Sequence, residues 1–214
     1  FPWFRNIFQY QTNFIGSNYD LSSLGIKNIN DAVNRIEQLK QHGIHGACWC
    51  VPTGNNFDHE VSIASKIANL TGEINLNYEW GWPEFWNLAP IDFVYFIQSL
   101  RDHSPNAKIH VCFDTVYRKY NNLLVGQWAH NVDTLQPELY PVDFGWSATY
   151  TLQQAWDQLK DYGKEKFVPM LGLNMGVSEM NSEVADWFED HEIERVTGWV
   201  AHTSSPETRG SFGT

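Results

Sequence analysis

Positive charge is scarce in this chain. Lys and Arg number 14 against 25 Asp and Glu, a net charge of −11 over 214 residues, and no basic run concentrates what there is. A surface of that sign argues against nucleic acid and anionic membranes as partners. Long apolar runs are missing as well. None approaches the roughly 20 residues of a membrane span, and Phe1-Pro-Trp-Phe-Arg5 has no charged-then-apolar signal pattern, as in a mature or excised segment. Cysteine is sparse: Cys48, Cys50 and Cys112 are three and cannot form a complete set of internal disulfides. Cys48 and Cys50 lie on one strand face and read as small buried fillers, since no His or Cys cluster completes a metal site. No metal or cofactor is expected. Neither a Gly-x-Gly-x-x-Gly nor a P-loop sequence occurs, so a nucleotide-binding open sheet loses ground. No internal repeat is visible.

Aromatic residues are abundant, at 15% with ten Trp. Most rings fill cores. Sugar-binding clefts are also lined by Trp and Tyr, because a flat ring covers the apolar face of a pyranose, and the excess leans toward carbohydrate as the partner.

One stretch organises the rest. Glu73-Ile-Asn-Leu-Asn-Tyr-Glu79 alternates with period two, placing Ile74, Leu76 and Tyr78 on one face and Glu73, Asn75, Asn77 and Glu79 on the other. A parallel strand covered by helices on both sides should be apolar throughout. In a closed barrel the apolar side packs on the outer helices, and Asn75, Asn77 and Glu79 point inward toward the strand's C-terminal mouth, where barrel enzymes keep their chemistry.

The flanking pattern agrees. Residues 1–14, rich in Phe, Tyr and Trp, read as a first strand or an aromatic lead-in; a helix over 28–41, a strand over 44–51 stopped by Pro52-Thr-Gly-Asn-Asn56, and a helix over 58–70 ended by Gly72 follow. The loop 80–90 holds Trp80, Trp82 and Trp86, an odd composition for a solvated connection. A helix over 91–102, a strand over 107–114, a short helix or irregular crossover over 115–131 and a strand over 133–140 follow. A helix over 151–162, a strand over 167–174, a helix over 179–191 and a last strand over 196–203 lead into a terminal loop. The alternation predicts one α/β domain over 1–214, a (β/α) TIM-type barrel trimmed to seven or eight strands, since about 250 residues is usual.

Three successive strands end in an acid: Glu79, Asp114 and Glu138. In a parallel barrel all three ends lie on one face, and two nearby carboxylates, one protonated and one ionised, are what glycoside hydrolysis requires. The bland alternative is that each acid caps a helix or pairs with an Arg. A metal-dependent hydrolase using Asp114, His110 and Glu79 is a weaker option, because His110 and Asp114 are four apart along a strand.

Asn75-x-Asn77-x-Glu79 resembles the Asp-x-Asp-x-Glu strand of chitinase-like (family 18) glycoside hydrolases, with both Asp changed to Asn. It is also similar to the Asn-x-Glu arrangement of the family 85 endo-β-N-acetylglucosaminidases. The resemblance implies that Glu79 is the general acid and that the residue two before it orients the N-acetyl group of the substrate. A second resemblance rests on Asp133-Thr-Leu-Gln-Pro-Glu-Leu-Tyr140, Asp143-Phe-Gly-Trp146, Ala155-Trp156 and Lys166-Phe-Val-Pro169. These are similar to uncharacterised glycosidase-like barrels, some of them phage or cell-wall-associated, which implies an extracellular or virion-surface location. By that resemblance Tyr140 touches the reacting end of the sugar and Trp199 floors the pocket.

The expected site is then Glu79, Glu138 and Asp114 as catalytic carboxylates, with Asn75, Asn77, Tyr140, Trp80, Trp82, Trp199 and Asn174 on the substrate. Losing the Asp at position 77 removes an anion that would stabilise an oxazolinium intermediate, by several kcal/mol at a desolvated site. A glycoside hydrolase acting on a polysaccharide or N-acetylated glycan is the first reading. A non-catalytic carbohydrate-binding or structural barrel is the second, favoured by the Asp-to-Asn pattern.

Overall fold

The computed structural model describes residues 7–11, 34, 37–38, 41, 45–81, 85–114, 122–140, 145–172 and 182–199. Strand and helix alternate: β1 (Ile7–Gln11), β2 (His45–Cys50), α1 (Phe57–Thr71), β3 (Glu73–Tyr78), α2 (Pro90–His103), β4 (Lys108–Asp114), α3 (Val125–Trp128), β5 (Thr134–Leu139), α4 (Ala148–Leu159), β6 (Met170–Gly172), α5 (Ser182–Asp190) and β7 (Thr197–Trp199). Two compact units result, with the boundary falling inside β4. Residues 6–112 and 121–133 form one, and residues 1–5, 113–120 and 134–214 form the other.

In the first unit the strand order is β1-β2-β3-β4. β1 and β2 are parallel with Ile7 opposite His45, and β2 and β3 are parallel with Trp49 opposite Asn75. Of the two readings of residues 1–14, the strand is the one found, at Ile7–Gln11. Of the helix expected over 28–41, the described positions Asn34, Glu37, Gln38 and Gln41 are helical and exposed.

Period-two alternation in β3 sorts as expected. Tyr78 stacks on Phe93 of α2 at 3.6 Å and meets Trp86 and Trp128 edge-on, each at 6.2 Å. Phe93 and Phe96 stack in turn, and Phe57 of α1 reaches Phe96 edge-on. The helices supply this face through Val61, Ala64, Ile67 and Ala68 of α1 and Phe93, Phe96, Ile97 and Leu100 of α2. Each Val, Ile, Leu or Phe among them contributes about 1.5–3 kcal/mol by leaving water. Cys48 and Cys50, wholly buried and in no disulfide, stand opposite Ile74 and Leu76 in the β2–β3 register, so they fill this layer.

The Tyr78 hydroxyl is buried in that layer with no hydrogen-bond partner among the described residues, and burial pushes its pKa well above the ordinary phenol value. Tyr78→Phe removes the stranded polar atom and keeps the stack. It is expected to raise stability by about 1 kcal/mol, read as a melting temperature higher by about 3 °C.

Arg101 closes the lower edge of the unit. Its guanidinium donates to Asn131 O at 3.0 Å, Pro105 O at 3.3 Å, Ala107 O at 2.7 Å and Asp133 Oδ2 at 2.7 Å. Asp133 also accepts from Ile109 N at 2.9 Å. Partial burial would raise the Asp133 pKa, but the bonds from Ile109 and Arg101 outweigh it and hold the carboxyl below the ordinary aspartate value. A depressed folded-state pKa stabilises above the unfolded value and is lost as pH falls through the folded one, so this anchor weakens only in acid. Arg101→Ala is expected to lower stability by about 2 kcal/mol, discounted for the half-exposed carboxylate. Urea unfolding checks it, with the midpoint reduced and the m value unchanged.

In the second unit the order is β5-β6-β7, all parallel. α4 begins three residues before the sequence pattern suggests, because Ser147 caps it by accepting from Tyr150 N at 3.2 Å. Its last turn tightens into a 3₁₀ turn over Lys160–Tyr162. The strand expected over 167–174 starts later in the structure, and residues 173–174 lie outside the described residues. Phe167 makes an isolated bridge to Leu135, and β6 proper is Met170–Gly172. Pro169, between them, has no N–H for the ladder. α5 packs on α4 through Trp187, which donates to Gln153 Oε1 at 2.9 Å and meets Trp156 edge-on. Among the described residues no helix is long and apolar enough to cross a membrane.

Candidate active site

The polar face of β3 is buried along its length. Glu73, Asn75 and Asn77 are at most 5% exposed, and Glu79, just past the strand, is half-buried. Asn77 Nδ2 donates to Glu79 Oε1 at 2.7 Å, so the structure brings together the two residues of the expected Asn-x-Glu pair. Behind them, Asn77 Oδ1 lies 3.3 Å from Cys112 Sγ of β4. The same thiol reaches Leu76 O at 3.4 Å and accepts from Trp49 Nε1 of β2 at 3.1 Å. Asn75, opposite Trp49 in the register and wholly buried, lies one step deeper on this face.

Glu73 begins the same face at the other end of β3, where His110 Nε2 is 3.6 Å from its Oε2. Six residues at about 3.3 Å each put Glu79 roughly 20 Å further along. His110 thus belongs with Glu73 rather than Glu79, and the metal-hydrolase grouping of Asp114, His110 and Glu79 does not form. Among the described residues no group of three His, Cys, Asp or Glu could hold a metal ion.

Past Glu79 the chain turns back on itself. Trp86 N donates to Glu79 O at 3.1 Å and Gly81 N to Trp86 O at 3.3 Å, so Trp80 and Trp86 form a bridge. Trp80 is half-buried, beside the acid. Trp86 is fully buried and belongs to the aromatic layer with Tyr78 and Phe93, which makes it a core residue despite its place in the loop. Trp82 lies outside the described residues.

Sequence reasoning missed Glu60. It is 1% exposed, and its carboxylate accepts from Thr53 N and Thr53 Oγ1, both at 2.8 Å, Gly54 N at 2.9 Å and Asn56 N at 3.3 Å. The β2–α1 loop is thereby wound round a single acid at the strand's C-terminal end. That loop in turn holds the one after β3, since Asn87 N donates to Thr53 O at 2.8 Å.

In the second unit, Asp114 ends β4 at 8% exposure and Glu138, one residue before the end of β5, is at 6%. Gln136, on the same face as Glu138, donates to Thr134 Oγ1 at 3.3 Å. Tyr140 is half-buried, and its hydroxyl donates to Met170 Sδ of β6 at 3.6 Å. Trp199 is the last residue of β7, and Asn174 lies outside the described residues. Trp146, part of the Asp143-Phe-Gly-Trp146 motif, meets Tyr150 of α4 edge-on at 5.2 Å, the two being 44% and 48% exposed; sequence reasoning did not single out Tyr150.

By fold, the chain is an α/β barrel like those of the family 18 glycosyl hydrolases. Two solved structures carry this. A fungal endo-β-N-acetylglucosaminidase of glycosyl hydrolase family 18 is 15% identical, with 94% of this chain and 81% of that one covered at a TM-score of 0.61. A family 18 chitinase from Crocus vernus is 12% identical, with 98% and 87% covered at a TM-score of 0.63. No protein-family model matches the chain, and no curated protein sequence matches it.

Proposed function

We propose that this chain is a glycoside hydrolase acting on a polysaccharide or N-acetylated glycan, with Glu79 as general acid. The observation that carries the reading is the hydrogen-bonded Asn77–Glu79 pair on a buried polar strand face. Barrel strands otherwise fill that position with apolar side chains. A carboxylic acid has one oxygen that accepts and one that donates. With Oε1 accepting from the Asn77 N–H, a protonated Glu79 carries its proton on Oε2, for delivery to a leaving oxygen. Glu138 or Asp114 is the second carboxylate, serving as nucleophile, base or electrostatic stabiliser, while Asn77 and Tyr140 orient the sugar. Trp80 offers stacking surface beside the acid. An extracellular or surface location suits a polymeric substrate.

A second reading is favoured by one specific feature. Asn stands at both 75 and 77, where the chitinase-like pattern has Asp, and a site without that anion can hold a glycan without cutting it. Chito-oligosaccharide turnover by the native chain and by Glu79→Gln separates the two: cleavage that the substitution removes supports the enzyme, and equal binding with no cleavage by either supports the module.

A further inference from the structure

Asn77 has an amide whose two ends differ, and the protein fixes which end meets Glu79. Nδ2 faces Oε1 of the acid at 2.7 Å and Oδ1 faces Cys112 Sγ at 3.3 Å. The sulfur already receives the indole N–H of Trp49 at 3.1 Å, and an indole nitrogen only donates. The thiol's own hydrogen is therefore directed at β3, where Leu76 O and Asn77 Oδ1 lie at 3.4 and 3.3 Å. Trp49 gives to Cys112, the thiol gives to β3 with Asn77 Oδ1 its nearer acceptor, and Asn77 gives to Glu79. The Trp49, Cys112 and Asn77 side chains are at most 4% exposed, so water does not compete for the links.

The direction has a chemical consequence. With the amide reversed, Oδ1 would stand against Glu79 Oε1 and hold the acid's proton between the two side chains. Nδ2 would meanwhile face the sulfur, and the thiol would lose the nearer of its two acceptors, keeping only Leu76 O at 3.4 Å. We infer that Cys112 is a positioning residue. It keeps the Asn77 amide with its N–H toward Glu79, so that the proton of the acid stays on Oε2. The catalytic part of this rests on the reading of Glu79 as general acid, while the orientation itself does not.

Cys112→Ala removes the donor, and Cys112→Ser restores one through its hydroxyl. On chito-oligosaccharides the alanine variant is expected to lose about tenfold in kcat with little change in KM, and the serine variant to return within about twofold of the native chain. On top of Asn77→Asp, which presents two equivalent oxygens and has no orientation to lose, Cys112→Ala should cause no further loss. A merely structural defect would depress both backgrounds alike, and that result overturns the inference. The side-chain amide resonances of Asn77 give a readout without turnover. Glu79→Ala should shift them strongly in the native chain, where the N–H end meets the acid, and clearly less once Cys112→Ala lets the carbonyl end meet it. An equal shift in both overturns the inference even if the native chain cleaves nothing, an outcome that would by itself sink only the hydrolase reading. Cys112→Val, which keeps volume and strand preference, replaces the alanine variant in both arms if that variant does not fold.

Discussion

Glu79→Gln is expected to lower kcat on chito-oligosaccharides by about a thousandfold, with KM changed less than about threefold, because a positioned general acid contributes 10²–10⁴. The substitution is close to isosteric and retains a carbonyl oxygen to accept from Asn77 Nδ2, so the 2.7 Å link that orients the side chain survives. What it deletes is the transferable proton. Binding of the same oligosaccharides, followed by calorimetry, should persist, since sugar contacts by ring stacking do not involve that proton. Turnover within tenfold of native would place the acid elsewhere, with Glu138 and Asp114 next to substitute. Unchanged binding alongside no turnover by either form would make the barrel a binding module.

That expectation was open to a reader of the sequence because β3 carries its register in its side chains. A polar residue at every second position from Glu73 to Glu79 can be buried in only one way, and a one-residue slip would drive Tyr78 off the Phe93 stack. Where local pattern and tertiary partner act together, the reading was sound. It weakened where a partner distant in sequence decides. Phe167 to Asn174 reads as one apolar strand, yet Pro169 interrupts the ladder, and Leu135 takes Val168 N as its donor at 3.0 Å before β6 begins. Trp86 shares its loop with Trp80 and Trp82, and only the fold shows that Phe93 and Phe96 of the next helix enclose it. Cys112 gave no signal at all. Its meaning depends on Trp49, 63 residues earlier, and on Asn77, 35 residues earlier.

Glu60→Ala is expected to be the most damaging single change to stability among the polar residues described. Its carboxylate gathers four donors within a loop of four residues. It does this from the fourth position of α1, one residue beyond the usual capping-box partner, while the N-cap Asn56 makes no side-chain cap of its own. Truncation strands the Thr53 and Gly54 N–H groups in a buried setting. At about 1–3 kcal/mol for each unsatisfied donor, a loss of about 3–4 kcal/mol follows, or roughly 10 °C in melting temperature for a chain of this size. Glu60→Gln, which keeps one accepting oxygen, should lose about half as much. The damage should also spread toward Glu79. Gly54 has φ +76°, and a Cβ there would lie 2.7 Å from Leu88 Cγ, so the two loops are in close contact as well as joined through Asn87 N and Thr53 O. Loosening the first loop therefore frees the second, which carries Trp80 and follows the acid directly. Below the melting transition, Glu60→Gln is expected to raise KM for chito-oligosaccharides severalfold while kcat holds. A melting temperature within about 2 °C of native for Glu60→Ala would mean that water replaces the carboxylate at all four donors, and the loop would then need another explanation for its shape.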